Sequence, residues 1–422
     1  MRNLILFAFT FCLFTSYGQD LQKDIQNIEQ KVIKWRRHFH QNPELSNREF
    51  ETAKTIAKHL KSLGLDVQEN IAKTGVVAIL HGKNKGKVVA LRADIDGLPV
   101  VERNDLAFKS TKKTTFLGKE VGVMHACGHD THIAILMGVA EILSKNKDKI
   151  KGTIKFIFQP AEEGAPAGEE GGAELMVKEN VLKNPDVDAI FGLHISSVTP
   201  VGHIGYRKGG IMAAAQSFKI KVKGKQSHGS RPWAGIDPIL VSAKIIDGLQ
   251  TIVSREAELT KEAAVITVGK IDAGVRSNII PESAEMIGTI RTLDYDMQKL
   301  INNRMKEMVP AIAKAYKAEA SIEIAKGYPI TFNNHKLVDK MLPTIQSIAG
   351  INNVHDINAV TGAEDFSFFA KEVPGFYFFL GGKTLGNNNP YPHHTPDFYI
   401  DESGMLLGVK VMTQLALDFL NK

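Results

Sequence analysis

Leu21, Ile25, Ile28, Val32 and Trp35 recur at helical spacing, which predicts a helix over residues 21–40, stopped by Pro43. A second helical pattern covers 47–63 and ends at Gly64. Short β-rich runs follow at 76–80, 87–91, 151–158 and 189–194, with helical patterns at 133–143 and 173–179 between several of them. Strand, helix, strand at this spacing predicts an α/β fold: a mixed, mainly parallel sheet flanked by helices. From about residue 212 the order changes. Strand 217–222, helix 236–253 opened by Asp237-Pro238, strands 264–271 and 284–291, helix 294–317 and strand 320–324 spell β-α-β-β-α-β, the ferredoxin-like unit. Pro310 predicts a kink or break in the long helix. The chain resumes with a helix at 336–348, a strand at 376–380 and a closing helix from Met405. The expected organisation is a domain formed by 19–211 and 327–422, with 212–326 inserted as a second one.

The first eighteen residues follow a different pattern. Arg2, an apolar run from Leu4 to Phe14, and Ser16-Tyr17-Gly18 before Gln19 predict a signal peptide over 1–18, and hence a secreted or periplasmic protein. No later segment reads as apolar enough to span a membrane, and Cys12 lacks the setting of a lipid anchor. Composition excludes further classes. The 422 residues are 43% apolar with a net charge of +6, and the basic tract at 145–151 reads as a solvated face. No interleaving of basic and aromatic residues points to nucleic acid.

The chemistry gathers at Met124-His125-Ala126-Cys127-Gly128-His129-Asp130-Thr131-His132. Beyond the leader Cys127 is the one cysteine, so no internal disulfide is open to it. It is either a buried core thiol or half of a chelate with His129, two residues on. Gly128 permits the turn that chelation requires. Polar groups also close the β-rich runs: Asp94 and Asp96, Glu162 and Glu163, and His194. Near the end lie His393 and His394. Cys127, His129, Glu162, Glu163, His194 and one of the last two histidines are expected on loops at strand ends, where open α/β sheets bind ligands. Five ligands exceed what one tetrahedral site uses, so a pair of metals sharing a bridging group and a water is expected. Adjacent Glu162 and Glu163 in an extended segment point different ways, one to metal and one to the water as general base. His38 and His40, at a helix end, read as packing or capping groups.

These motifs resemble the di-metal aminoacylase/carboxypeptidase amidohydrolases, in the branch of hippurate hydrolases, N-acyl-amino-acid amidohydrolases and auxin-conjugate hydrolases. The likeness runs through Trp35-Arg36-Arg37, Asn42-Pro43-Glu44-Leu45, the segment from Leu91 to Pro99, His125 to Asp130, Gln159 to Gly164, and Gly192-Leu193-His194. It continues through Asn278-Ile279-Ile280-Pro281, Gly288-Thr289-Ile290-Arg291, Gly362 to Phe366 and His394-Thr395-Pro396. The resemblance implies Cys127, His129, Glu163, His194 and His394 as ligands of two divalent ions, zinc or manganese with cobalt or nickel also suited. His393 is then a neighbour and Glu162 the general base. Asp94, preceded by Arg92-Ala93 where many relatives carry a ligand histidine, is implied to stand behind the ligands.

The inserted domain resembles the family's lid and dimerisation module, which implies a homodimer. His228 matches the histidine that reaches a partner's site to hold an oxyanion, and Asn278 and Arg291 match positions that hold a substrate carboxylate. Trp233 stands where branch members often have histidine. The implied reaction is cleavage of the amide of an N-acyl amino acid or small peptide by a metal-bridged hydroxide. A metallo-carboxypeptidase or dipeptidase, and a non-catalytic metal- or ligand-binding dimer, are the alternatives.

Overall fold

The structure, a computed structural model, describes the backbone of residues 2–421 and the side chains of residues 21–421. The expected signal over 1–18 lies outside the residues whose side chains are described. The chain separates into two compact units, one of residues 1–209, 333–357 and 368–422, the other of 210–332 and 358–367.

The first unit opens with helices α1 (Arg2–Gln41) and α2 (Phe50–Ser62), then strands β1 (Asp66–Ile71), β2 (Gly75–His81) and β3 (Asn84–Asp94). Helix α3 (His129–Lys145), β4 (Lys151–Gln159), β5 (Ala189–Pro200) and β6 (Ile204–Tyr206) follow. In the second unit come β7 (Ala214–Lys223), α4 (Pro238–Thr251), β8 (Ala264–Ala273), β9 (Ser283–Thr292), α5 (Tyr295–Ala315) and β10 (Glu319–Ile324). The chain returns to the first unit with α6 (His335–Ala349), β11 (Val354–Asp356), β12 (Gly375–Lys383) and α7 (Met405–Asn421).

The first unit is built on an eight-stranded sheet in the order β1-β2-β4-β3-β5-β12-β6-β11. Its middle, β4-β3-β5-β12, is parallel; β2 and β6 flank it antiparallel, β1 is antiparallel to β2, and β11 is parallel to β6. Runs such as Val88-Val89-Ala90-Leu91 and Ala189-Ile190-Phe191 are buried throughout because both sheet faces are covered. Helix α3 is buried on all sides from His129 to Leu143. Gly128 precedes it at φ +92°, and a Cβ there would stand 2.4 Å from Ile195 Cγ2, so only glycine fits this turn.

Two expectations are corrected here. By length and composition the stretch Glu402–Asn421 could cross a membrane, although no such segment was expected after the leader; 67% of its apolar window is buried, and it serves as a core helix. The tract 358–367 was expected in the first domain, yet its backbone is tied to the second unit: Ala213 N–H donates to the carbonyls of Val360 and Gly362.

In the second unit the sheet order is β8-β9-β7-β10, antiparallel throughout. With α4 and α5 this is the β-α-β-β-α-β order. Asp237 caps α4 by accepting from Ile239 N–H and Leu240 N–H, with Pro238 at its first position. Helix α5 runs through Pro310 without a break, because Ile301, Met305, Val309 and Ala313 pin one face to the sheet.

Candidate metal centre

Four structural features deliver side chains to one point at the carboxyl end of the parallel strands. Asp94 is the last residue of β3, the turn after β4 carries Glu162 and Glu163, β5 carries His194, and the first turn of α3 carries His129. The expectation that all would sit on loops is corrected for two of them. His194 lies inside β5, opposite Phe379 of β12, because the ladder continues through Ser196. His129 opens the helix that begins behind Gly128. Glu162 and Glu163 form a turn and not an extended pair, because Ala161 has φ +53°. Their carboxylates therefore face the same group, 3.8 and 3.9 Å from His129 Nε2.

Cys127, 7% exposed, is at the centre. Its Sγ lies 3.4 Å from His194 Nε2 and 3.2 Å from His394 Nε2, and His394 Nε2 lies 3.1 Å from Glu163 Oε1. Cys127, His129 and His194 form one cluster of donor atoms within 4.8 Å of one another; Cys127, Glu163 and His394 form a second. The thiol is common to both. Donors on a tetrahedral metal at about 2.0–2.3 Å stand roughly 3.3–3.8 Å apart, close to these separations.

The ring tautomers agree. His129 Nδ1 donates to the Asp96 carbonyl at 2.9 Å and lies 3.2 Å from Asp96 Oδ1. His194 Nδ1 donates to the Ile195 carbonyl at 2.6 Å. Each ring thus turns an Nε2 lone pair inward, and that of His129 is buried with no hydrogen-bond partner among the described residues. A buried lone pair without a donor is costly unless a cation accepts it.

His132 was not among the expected site residues. Its Nδ1 donates to Asp94 Oδ1 at 2.5 Å, and its Nε2 accepts the Ile195 N–H at 2.8 Å. Although Asp94, His129 and His132 also cluster, both nitrogens of His132 are in use, so it orients Asp94 and β5 and binds nothing itself. Its spacing three residues after His129 on one helix face was the available signal. Asp94 is further gripped by Arg92 Nη1 at 2.6 Å. His393 is likewise closed: Nδ1 donates to the Cys127 carbonyl at 3.1 Å, and Nε2 accepts from Ser197 N–H at 3.2 Å.

The electrostatics call for positive charge. Burial pushes the Cys127 thiol well up, and Glu163, Glu162 and Asp94 push it further. Burial disfavours protonation of His129, but Asp94, Asp96 and Glu163 outweigh it and raise its pKa to about 10, so the ring calls for a cation at Nε2, a proton or a metal that takes the proton's place. Burial holds His194 well down, helped by His132 and His393, so it stays neutral. Four carboxylates, Asp94, Asp96, Glu162 and Glu163, face this pocket with Arg92 as their fixed cation. Two divalent ions fit that deficit, and a metal would ionise the thiol without a base.

The other expected residues lie in the second unit. His228, exposed, pairs with Ile279 on a two-residue ladder, where Gly229 N–H donates to the Asn278 carbonyl at 2.8 Å. His228 Nδ1 accepts from Ser230 N–H at 3.1 Å, leaving the ring proton on Nε2. Arg291, on β9, has no carboxylate partner among the described residues; its Nη1 reaches only the Ile290 carbonyl. Trp233 is 81% exposed.

A parallel α/β sheet with a thiolate, imidazole and carboxylate cluster at its strand ends defines a metal-dependent hydrolase. The chain belongs to peptidase family M20/M25/M40, whose sequence profile matches residues 90–418. It is 43% identical over 406 residues to thermostable carboxypeptidase 2 of Saccharolobus solfataricus, covering 96% of this chain and 99% of that one. It is 36% identical to the N-acetyl-L-cysteine deacetylase of Bacillus subtilis, covering 91% and 86%. A solved Bacillus subtilis structure, a dinuclear metal-binding peptidase of family M20, matches with TM-score 0.79 and 33% identity over 94% of this chain and 99% of that one. The protein is thus a metal-dependent enzyme acting on linear amide or peptide bonds.

Proposed function

We propose that this enzyme hydrolyses the amide of N-acyl amino acids or of small peptides with a free carboxylate. The carrying observation is the convergence of Cys127, His129, Glu163, His194 and His394, with Glu162 turned toward His129. These five would hold two divalent ions, zinc or manganese best. Such ions supply Lewis acidity, lowering the pKa of water and polarising a carbonyl. Glu162, 6% exposed, takes a proton from the attacking water and returns it to the leaving amine. Asp94 and His132 stand behind the ligands and hold them. His228 would reach a partner subunit's site and offer its Nε2–H to the oxyanion there, and Asn278 and Arg291 would bind the substrate carboxylate, Arg291 having no carboxylate partner among the described residues. We assign the protein to the secreted or periplasmic space, after removal of residues 1–18. We also assign it a homodimer built through the second unit, whose strand β8 ends the sheet with one edge open.

The carboxypeptidase reading draws on the relative of that name. Steady-state rates of the metal-loaded enzyme on N-acetyl amino acids, hippurate and dipeptides separate the two. Glu162→Ala is expected to cut kcat by about 10²–10⁴-fold with bound metal retained. Full activity in that variant would refute the base assignment.

A further inference from the structure

Three consecutive backbone amides of the turn that carries Glu162 and Glu163 end on carboxyl groups from elsewhere in the chain. Ala161 N–H donates to Glu49 Oε1 at 2.9 Å. Glu162 N–H donates to Asp96 Oδ1 at 3.1 Å, and Glu163 N–H to Asp96 Oδ2 at 3.0 Å. Such successive amides, with Ala161 at φ +53°, make a concave anion-binding nest, and here the anion belongs to the protein. Both acids are anchored in turn. Ser46 Oγ donates to Asp96 Oδ2 at 2.7 Å, and the Thr74 hydroxyl bonds Glu49 Oε2 at 2.6 Å. Glu49 is fully buried and Asp96 nearly so.

We propose that Glu49 and Asp96 are positioning residues that together set the pitch of the Glu162-Glu163 turn, aiming one carboxylate at the metals and the other at the water. The inference rests on the roles given above to Glu162 and Glu163. Neither acid touches substrate or metal; each acts through the backbone, and Asp96 also through His129. Freed of these anchors the turn loses three hydrogen bonds, and a misplacement of about 1 Å at a reacting group costs on the order of 10²-fold. Burial, with Asp96 nearby, lifts the Glu49 acid to about 8, so at neutral pH it is a carboxylic acid. Glutamine can reproduce that pattern, accepting from Ala161 N–H while its amide donates to Thr74. Asparagine at position 96 cannot, because every group facing the carboxylate is a donor.

The test uses Glu49→Leu, Glu49→Gln and Asp96→Asn in the full chain, with two readouts: steady-state kinetics at saturating metal, and zinc affinity of the metal-stripped protein by calorimetry. Glu49→Leu and Asp96→Asn are expected to lower kcat at least about tenfold with KM within about twofold, and to weaken zinc binding about 10–100-fold. Glu49→Gln is expected to stay near wild type in both. Wild-type kcat and zinc affinity in Glu49→Leu and Asp96→Asn, or a Glu49→Gln as impaired as Glu49→Leu, would overturn the proposal. If Glu49→Leu does not fold, the pair Glu49→Gln and Asp96→Asn decides on the same criteria. A wild-type enzyme inactive on every acyl-amino-acid and peptide substrate would instead count against the proposed function, while the zinc titrations still judge this inference.

Discussion

The segment from His125 to Asp130 faces two buried charged clusters, and they differ in kind. On one side Asp130 pairs by charge with Arg36, whose Nε lies 2.9 Å from Oδ2, and accepts from His40 Nδ1 at 2.8 Å. His40 Nε2 donates to Glu102 at 3.1 Å, and Arg36 Nη1 to Glu402 at 3.2 Å. Cations and carboxylates alternate there, Arg36 and His40 against Asp130, Glu102 and Glu402. On the other side, around Cys127, carboxylates outnumber fixed cations and His129 Nε2 has no hydrogen-bond partner among the described residues. A cluster that balances its own charges holds the fold together; one in which metal-donor atoms converge amid surplus negative charge is built for a cation. His40 thus turns out to be structural, as its place at a helix end suggested.

Removing the atom common to both metal clusters tests the difference most severely. Cys127→Ala is expected to lower activity more than about a hundredfold, beyond the range typical of groups that only orient ligands, and to lose bound metal by elemental analysis. Asp130→Ala strikes the charge-balanced cluster, taking from buried Arg36 and His40 the carboxylate they share. It is expected to cost about 3–5 kcal/mol in urea unfolding. Between the clusters stands His132, and His132→Gln should reduce metal affinity about 10–100-fold with a smaller loss of stability.

The pH dependence of stability gives the smallest and most diagnostic effect. Burial and Arg36 oppose protonation of His40, but Asp130 and Glu102 outweigh them and raise its pKa above the usual 6.5. A raised base binds its proton more tightly in the folded state, so its stabilisation is complete below about pH 6.5 and fades as pH climbs through the higher folded value. Glu49, lifted to about 8 from 4.5, acts in the same direction between those values, since the folded chain then holds a proton that the unfolded chain has released. Thermal melts should therefore show a fall in stability from pH 5 to 8 that is shallower in His40→Gln and in Glu49→Gln. Parallel curves for wild type and both variants would mean that these groups do not titrate as their surroundings imply.

The periodic parts of the chain were legible in advance. Helix 133–143 and the strands at 76–80 and 151–158 fall inside α3, β2 and β4, and the β-α-β-β-α-β order of the second unit was readable because its strands alternate. What pattern missed was polar residues inside elements. The fourth apolar run ended at His194, yet β5 extends to Pro200 with Ser196 and Ser197 buried in it. Hydropathy reads such serines as a strand end because it does not register that they face a polar site.

Residue types and their spacing determined which side chains could bind metal: the chelating pair across Gly128, the paired glutamates and the terminal histidines. They determined the α/β class as well, because burial on both sheet faces leaves a continuous apolar run. Tertiary structure alone decided which carboxylates support and which bind. Asp96 meets His129 across 33 residues, His132 meets Asp94 across 38, and Glu49 meets Ala161 across 112. Hydrogen-bond partners at such separations leave no periodicity in the chain, because only the packing of strands and loops brings their donors and acceptors into reach.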